Sequence, residues 1–286
     1  MEAYLVGGAV RDRLLGLPVS ERDWVVVGAS PQDMLAQGFK QVGKDFPVFL
    51  HPETKDEYAL ARTERKTAPG YKGFAVDSSA DVTLEEDLRR RDLTINAMAR
   101  TADGTLIDPY HGREDLDAGL LRHVSPAFAE DPVRVLRTAR FAAQFGKWGF
   151  KVAHSTNKLM RKMVAEGEVD HLVPERVWAE LAKALRTDTP AKFFSVLRGC
   201  GALAVLFPEI DREYPQAGQA HGDNTSSAAL DALQASVARS ADPRERFAVL
   251  VRALGLQLST EQRIDQAETL CRRFRAPNDY SQLAMS

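Results

Sequence analysis

The residues best suited to chemistry are two acids near the N-terminus, Glu21 and Asp23, which lead into the apolar run from Trp24 to Val27. Side chains two positions apart on a strand project to the same side, so this spacing predicts two adjacent carboxylates. Adjacent negative charges repel each other unless a cation lies between them. Carboxylate oxygens with open, hydrated positions suit Mg²⁺. The alternative interpretation is a solvent-exposed entry to the strand without any ligand.

A third acid, Glu57, begins a later predicted strand over residues 57–61. If the two strands are neighbours, the three acids can hold two metal ions. One ion would activate a hydroxyl nucleophile, and the other would offset the charge of a triphosphate and of the leaving pyrophosphate.

A pair of glycines, Gly7 and Gly8, lies between a short predicted strand at residues 4–6 and a predicted helix at residues 9–15. Glycines at such a turn let the backbone approach a ligand closely, and the N–H groups at a helix start favour phosphate. The alternative is an ordinary tight turn between strand and helix.

The elements that position these groups alternate between strand and helix in the first 125 residues. Ser30 and Pro31 predict a capped helix to about residue 37, and Thr83 with Glu86 predicts a capping box for a helix to about residue 90. Residues 46–50 and 57–61 are predicted strands, residues 62–80 a mobile loop, and residues 97–107 a hairpin.

After about residue 125 the strand signals end, and apolar residues such as Val135, Ala139 and Ala142 recur at helical spacing. We therefore predict an α+β fold followed by an all-α part. The predicted domains are a head at residues 1–125, a helical neck at residues 126–215 and a helical body at residues 216–286.

Composition excludes several classes of protein. With 44% hydrophobic and 27% charged residues among 286, the chain is not intrinsically disordered. No stretch approaches the roughly 18 to 20 apolar residues of a membrane span, and the N-terminus lacks the features of a signal peptide. Cys200 and Cys271 fit no metal or redox spacing, so a cytoplasmic protein is expected. Residues 126–200 hold thirteen basic and eight acidic residues, which is compatible with a phosphate-binding face.

Six blocks in order resemble the class II tRNA nucleotidyltransferases and bacterial poly(A) polymerases, which belong to the polymerase-β-like superfamily. They are LVGGAVRD (residues 5–12) with ERDW (21–24), RTE (62–64), RRDLTINA (90–97), IDPY (107–110) with GLLR (119–122), EDPVRVLR (130–137) and PERVW (174–178). The resemblance covers about residues 1–210. It implies a polymerase-β-like head with a mixed sheet and helices, followed by an all-α neck and body.

The resemblance also implies roles for individual residues. Glu21 and Asp23 would bind Mg²⁺, with Glu57 as a third catalytic carboxylate. The implied nucleotide contacts are Gly8 and Arg11 at the glycine turn, Arg91, Arg137 and Arg140 at the triphosphate, and Asp92 and Asn96 at the ribose. Arginine's planar fork suits phosphate oxygens.

Asp131 and Arg134 would pair with the edge of the incoming base in place of a template strand. They lie three positions apart on a predicted helix and hence on one face. An acceptor and a donor together satisfy the correct base, whereas a wrong base leaves buried polar groups unpaired. The alternative interpretation of the arginines at 134, 137 and 140 is a solvated helix stripe.

The implied activity is the addition of C, C and A to the 3′ end of tRNA from CTP and ATP, with release of pyrophosphate. A poly(A) polymerase or a partial CC- or A-adding enzyme would share nearly every motif, and a catalytically decayed RNA-binding protein is a third alternative. A monomer is favoured.

Two positions depart from the family pattern. Many relatives carry aspartate where this chain has Glu21, which remains a carboxylate, so retained activity is expected. Longer relatives carry an HD-type metallohydrolase domain, whose His-Asp pair is replaced here by Arg252-Ala253. We therefore predict no phosphohydrolase activity from this region.

Overall fold

The computed structural model describes residues 1–19, 21–43, 47–66, 74–214, 227–256 and 258–285. The chain divides into a head unit, residues 1–131, and a helical unit, residues 132–286. The predicted separation of the helical part into neck and body stays a prediction.

The head is built on a seven-stranded mixed sheet with the strand order β3-β4-β5-β2-β1-β8-β9. Within it β2 pairs antiparallel with β1 and parallel with β5. The strands of the head are β1 (Glu2–Val6), β2 (Asp23–Val27), β3 (Lys40–Val42), β4 (Val48–Leu50), β5 (Glu57–Leu60), β6 (Thr63–Lys66), β7 (Phe74–Asp77), β8 (Ala99–Arg100), β9 (Leu106–Ile107) and β10 (Leu120–Leu121).

The central strand β2 is buried on both faces because its residues alternate between two apolar clusters. Val25 packs with Val6 and Leu88 on one side of the sheet. Val26 packs with Met34 and Phe49 on the other. The apolar run that predicted a buried strand therefore forms the centre of the sheet, and Asp23 lies at the start of this buried strand.

Among the described residues of the head, four α-helices accompany the sheet: α1 (Gly8–Leu14), α2 (Pro31–Ala36), α3 (Leu84–Arg89) and α4 (Gly112–Asp117). The predicted caps are confirmed, since Ser30 caps α2 with Pro31 at its first position, and Thr83 forms a capping box with Glu86. The predicted hairpin is also confirmed as the β8–β9 pair. The short strand β3 and a 3₁₀ turn at Thr94–Asn96 were not predicted.

The prediction of a loop over residues 62–80 is wrong for the part that the structure describes. Strands β6 and β7 pair antiparallel there, with Thr63 opposite Asp77. The strand at residues 46–50 begins at Val48, and Phe46 lies outside the described residues. Residues 67–73, with the glycines that favoured a loop, also lie outside them.

Where the structure describes it, the second unit is helical, as the apolar spacing predicts, apart from the two-residue strand β11 (Lys151–Val152). Its core contains several fully buried phenylalanines, among them Phe193, Phe194, Phe207 and Phe247. The helices are α5 (Val133–Gln144), α6 (His154–Ala165), α7 (Pro174–Leu185), α8 (Ala191–Cys200), α9 (Ala202–Leu206), α10 (Pro208–Asp211), α11 (Ala228–Ser236), α12 (Pro243–Ala253), α13 (Thr260–Arg273) and α14 (Asn278–Met285).

None of the helices in the described ranges combines the length and the apolar character that crossing a bilayer requires.

Candidate active site

Strand pairing brings Asp23 to the glycine turn. Asp23 lies opposite Val6 in the antiparallel β1–β2 pair, and Val6 directly precedes Gly7. On its other side Asp23 lies opposite Glu57 in the parallel β2–β5 pair. The prediction that the two acid-bearing strands are neighbours is confirmed. Asp23 is the first residue of the central strand β2, and we call the end of the sheet where β2 begins the Asp23 edge.

Glu21 precedes β2, which begins at Asp23, so the alternation of side chains along a strand does not explain its position. Its charge nevertheless acts on the carboxyl group of Asp23. Partial burial raises the pKa of Asp23 the most, the positive charge of Arg91 lowers it, and the negative charge of Glu21 raises it again. Two carboxylates and one guanidinium therefore share this edge, and a cation held there would relieve the repulsion.

The carboxylates of Glu21 and Asp23 fit a metal site whose remaining ligands come from a bound substrate and water. Among the described residues no three or more His, Cys, Asp or Glu side chains are grouped to hold a metal ion, so Glu57 does not join Glu21 and Asp23 as a ready ligand set. Mg²⁺ is commonly bound by one or two carboxylates, with substrate phosphates and water completing the octahedron. The arrangement fits that chemistry, and the role of Glu57 stays a prediction.

The glycine turn depends on Gly7, which the sequence-based set of site residues omitted in favour of Gly8. Gly7 has φ of +69°, and a Cβ added to it would lie 2.9 Å from Nη1 of Arg91. A Cβ on Gly8 would meet Nη2 of Arg11 at 3.4 Å. Gly7 therefore lets Arg91 lie against the backbone at the start of α1, whereas an added Cβ at Gly8 would be at the limit of ordinary contact with Arg11.

Arg91 is held in place by Asp87, a residue that the sequence analysis missed. Nη2 of Arg91 donates to Oδ2 of Asp87 at 3.1 Å, and Nη2 of Arg90 donates to Oδ1 at 2.6 Å. The Asp87 side chain is fully buried. The four-residue spacing between Asp87 and Arg91 is visible in the sequence, but the burial that makes the contact important is not.

Arg11, Asp92 and Asn96 form a buried network behind the glycine turn. Nδ2 of Asn96 donates to Oδ1 of Asp92 at 3.0 Å, and Nη1 of Arg11 donates to Oδ1 of Asn96. Each of the three residues is at most 6% exposed. The structure thus joins α1 to the 3₁₀ turn at Thr94–Asn96. The predicted contacts of these residues with a nucleotide stay predictions.

In the second unit, Arg134, Arg137 and Arg140 lie on α5 at the predicted helical spacing. The prediction that Asp131 shares this helix is wrong, because α5 begins at Val133 and Asp131 has an extended backbone with φ of −122° and ψ of 106°. A residue that precedes proline disfavours the helical conformation, and Asp131 precedes Pro132. Base selection by Asp131 and Arg134 therefore cannot rest on a shared helix face.

Arg140 carries a structural ion pair that the sequence did not predict. Its Nε donates to Oε2 of Glu180 on α7 at 2.6 Å, and both side chains are largely buried. Its guanidinium also lies 3.9 Å from the centroid of the Phe141 ring. The Nε of Arg140 is thereby used in a contact that joins α5 to α7. A contact of Arg140 with triphosphate stays a prediction.

Comparison with known proteins gives matches along the whole chain. The family model described as "Poly A polymerase head domain" matches residues 3–122, and the one described as "Probable RNA and SrmB- binding site of polymerase A" matches residues 149–214. A "Multifunctional CCA protein" of Thioalkalivibrio sulfidiphilus is 61% identical over 299 aligned residues, which cover 100% of this chain and 73% of that protein.

Solved structures agree with these matches. A CCA-adding enzyme in complex with ATP is 26% identical with a TM-score of 0.70, covering 98% of this chain and 63% of that one. The Bacillus stearothermophilus CCA-adding enzyme in complex with CTP is 28% identical with a TM-score of 0.68, covering 99% of this chain and 64% of that one. The chain thus spans a little under two thirds of each of these two solved proteins.

Proposed function

The chain belongs to the family of CCA-adding tRNA nucleotidyltransferases, and we propose that it adds C, C and A to the 3′ end of tRNA from CTP and ATP. The observation that carries the proposal is Asp23, which lies between the glycine turn and Glu57 and within the electrostatic reach of Glu21 and Arg91. Two solved CCA-adding enzymes that share this fold are described as complexes with ATP and with CTP, which supports the choice of nucleotides.

In this reaction the 3′ hydroxyl oxygen of the RNA attacks the α-phosphorus of the nucleoside triphosphate, and pyrophosphate leaves. Glu21 and Asp23 would hold Mg²⁺, which stabilises charge on phosphoryl oxygens and promotes deprotonation of the hydroxyl. Arg91, fixed by Asp87 against Gly7, would contact the triphosphate as a rigid donor fork. Such fixed donors favour the transition state because they need no reorganisation as charge develops.

Base selection is proposed for Asp131 and Arg134, with Arg137 at the triphosphate. Asp131 lies in extended backbone immediately before α5, and Arg134 lies in its first turn. An aspartate acceptor and an arginine donor together offer the hydrogen bonds that a base edge requires, and a mismatched base would leave them unpaired. We further place the enzyme with its tRNA substrate in the cytoplasm and favour a monomer.

Arg252, which the family resemblance places where longer relatives would carry a His-Asp pair, contacts the backbone of another helix. Nη2 of Arg252 donates to the carbonyl of Leu283 at 2.9 Å, near the C-terminal end of α14. A cation at a helix C-terminus satisfies free carbonyls and complements the helix dipole. Arg252 therefore joins α12 to α14. The absence of phosphohydrolase activity from this region stays a prediction.

Incubation with tRNA that lacks its 3′ CCA, with CTP and ATP added singly and together, tests the function. We expect two C residues from CTP alone and the complete CCA only with both nucleotides. A long run of A with ATP alone would identify a poly(A) polymerase, and addition of C without A a partial enzyme. RNA binding without any incorporation would identify a decayed enzyme and overturn the proposal.

Substitution of Gly7 by alanine tests whether the position of the Arg91 side chain against the glycine turn matters for activity. The new Cβ would clash with Nη1 of Arg91 and would also strain a backbone with φ of +69°. We expect the KM for CTP to rise by roughly 10- to 150-fold, because a hydrogen bond to a charged group contributes about 1.5–3 kcal/mol.

Gly16→Ala is the matched control, since Gly16 has φ of +68° but no atom within 4 Å of the added Cβ. It carries the same backbone strain without displacing an arginine. An equal rise in KM for both variants would show that backbone strain, and not the position of Arg91, causes the effect.

A further inference from the structure

The helical unit contains a cavity of about 340 Å³. It lies among α5, β11, α6 and α8. The lining residues on which its chemistry depends are Phe150, Lys151, Asn157, Lys192, Ser195 and Gly199. Its volume falls at the lower end of the range for small-molecule sites, roughly 300–1,000 Å³.

The cavity combines cationic, hydrogen-bonding and apolar walls. Within the described ranges neither Lys151 nor Lys192 forms an ion pair with a carboxylate. The Nζ of Lys192 donates a hydrogen bond to the carbonyl oxygen of Gly146 at 3.1 Å, which fixes the position of this side chain. Phe150 adds an aromatic ring that is buried against Phe145. Two uncompensated ammonium groups beside an aromatic wall suit a ligand that is both anionic and flat.

The cavity is also accessible along one side, because Lys151, Ser195 and Gly199 are exposed. A nucleotide within an RNA strand needs such an opening, because the RNA on its 5′ and 3′ sides must extend out of the cavity. Proteins that hold single-stranded RNA combine cationic groups for the backbone with ring faces or apolar surfaces for the bases.

We propose that this cavity binds one nucleotide of the RNA substrate, with the base against the apolar wall that includes Phe150 and a phosphate at Lys151 and Lys192. The proposal rests on the proposed function, in that it takes the ligand to be part of the tRNA. A free nucleoside triphosphate has the same chemistry, and the experiment must distinguish the two sources.

Gly199 permits a direct test by filling the cavity. It lies on α8, and the nearest atom to an added Cβ is Oδ1 of Asn157 at 3.9 Å, an ordinary contact with another lining residue. Gly199→Ala therefore fits, whereas Gly199→Leu adds three further carbons at a residue that lines the cavity. Both substitutions favour the helix over glycine, so matching melting temperatures will separate blockage from unfolding.

The dissociation constant for tRNA lacking CCA is measured by fluorescence anisotropy at fixed salt, together with the affinities for CTP and ATP. We expect Gly199→Leu to weaken tRNA binding by roughly tenfold, the scale of losing one base contact, while Gly199→Ala and the nucleotide affinities stay unchanged. Lys151→Gln is expected to weaken tRNA binding more than Lys183→Gln, which removes an exposed lysine of α7 outside the cavity.

Three outcomes would overturn the inference. Loss of CTP or ATP affinity with unchanged tRNA binding would assign the cavity to a free nucleotide. Unchanged affinities in Gly199→Leu would leave it without a nucleotide ligand. Equal effects of the two lysine substitutions would indicate general charge attraction. Because binding is measured without turnover, a protein that binds tRNA but incorporates nothing would fail the proposed function and still test this site.

Discussion

Replacing Asp23 with asparagine is expected to lower the rate of CMP incorporation into tRNA by roughly 10³-fold or more, the scale of removing a central charge-stabilising group. Asparagine keeps the size of the side chain and one oxygen. It removes the negative charge that would hold Mg²⁺ at the start of β2, opposite Val6 and Glu57. Affinity for tRNA should stay within about twofold, because the change removes no positive charge that contacts phosphate.

Asp81→Asn is the matched control. Asp81 is an exposed head residue in the turn before α3, and the same chemical change there should leave incorporation unaltered. Rates are measured in single-turnover experiments with labelled CTP, and tRNA affinity is measured in parallel. Substantial turnover by Asp23→Asn would remove Asp23 from the catalytic machinery.

Replacing Asp87 with alanine is expected to destabilise the head by about 3–5 kcal/mol, the cost of breaking a buried ion pair from one side. The carboxylate binds Arg90 and Arg91 and also accepts the backbone N–H of Arg62 at 3.3 Å. Alanine would leave two guanidinium groups partly buried without their acceptor. The free energy of unfolding in urea measures the effect. Asp117→Ala is the control, since its pair with Arg113 is 63% and 49% exposed and should contribute less than about 1 kcal/mol.

The same carboxylate predicts a dependence on pH. Burial acts to raise the pKa of Asp87, but Arg90 and Arg91 outweigh it and hold the pKa below its ordinary value of 3.8. Its contribution to stability is therefore fully present above that ordinary value and is lost as the pH falls through the lowered one. The stability difference between the native chain and Asp87→Asn should be equal at about pH 7 and about pH 5 and should shrink in stronger acid. A difference that widened on acidification would contradict this pairing.

The sequence predicted the elements whose pattern is local and strong. The β-branched run at Val25 and Val26 predicted the central strand, and the Thr83–Glu86 pair predicted the start of α3, since both signals depend on near neighbours. That β2 and β5 are neighbours could only be stated as a condition, because strand order depends on packing across the whole sheet. The structure supplies the missing fact by pairing Asp23 with Glu57.

The errors have physical causes of their own. The β6–β7 hairpin was missed because the polar sequence of Thr63–Lys66 lacks the apolar alternation of a half-buried strand. The helix was extended to Asp131 although the following proline disfavours helical backbone there. Asp87 was missed because the sequence does not show that its carboxylate is buried against Arg90 and Arg91. A buried acid beside clustered arginines identifies a positioning residue only once burial is known.

The central claim is that Glu21 and Asp23 together hold a divalent cation against a bound nucleoside triphosphate. A crystal structure with a non-hydrolysable CTP analogue and Mg²⁺ tests it most directly, with Mn²⁺ substituted in a second crystal to identify the ion by anomalous scattering. We predict an ion about 2.0–2.1 Å from a carboxylate oxygen of each acid, with triphosphate oxygens completing its coordination beside Gly7 and Arg91. A triphosphate bound elsewhere, or bound at this edge with both carboxylates turned away from any cation, would contradict the account.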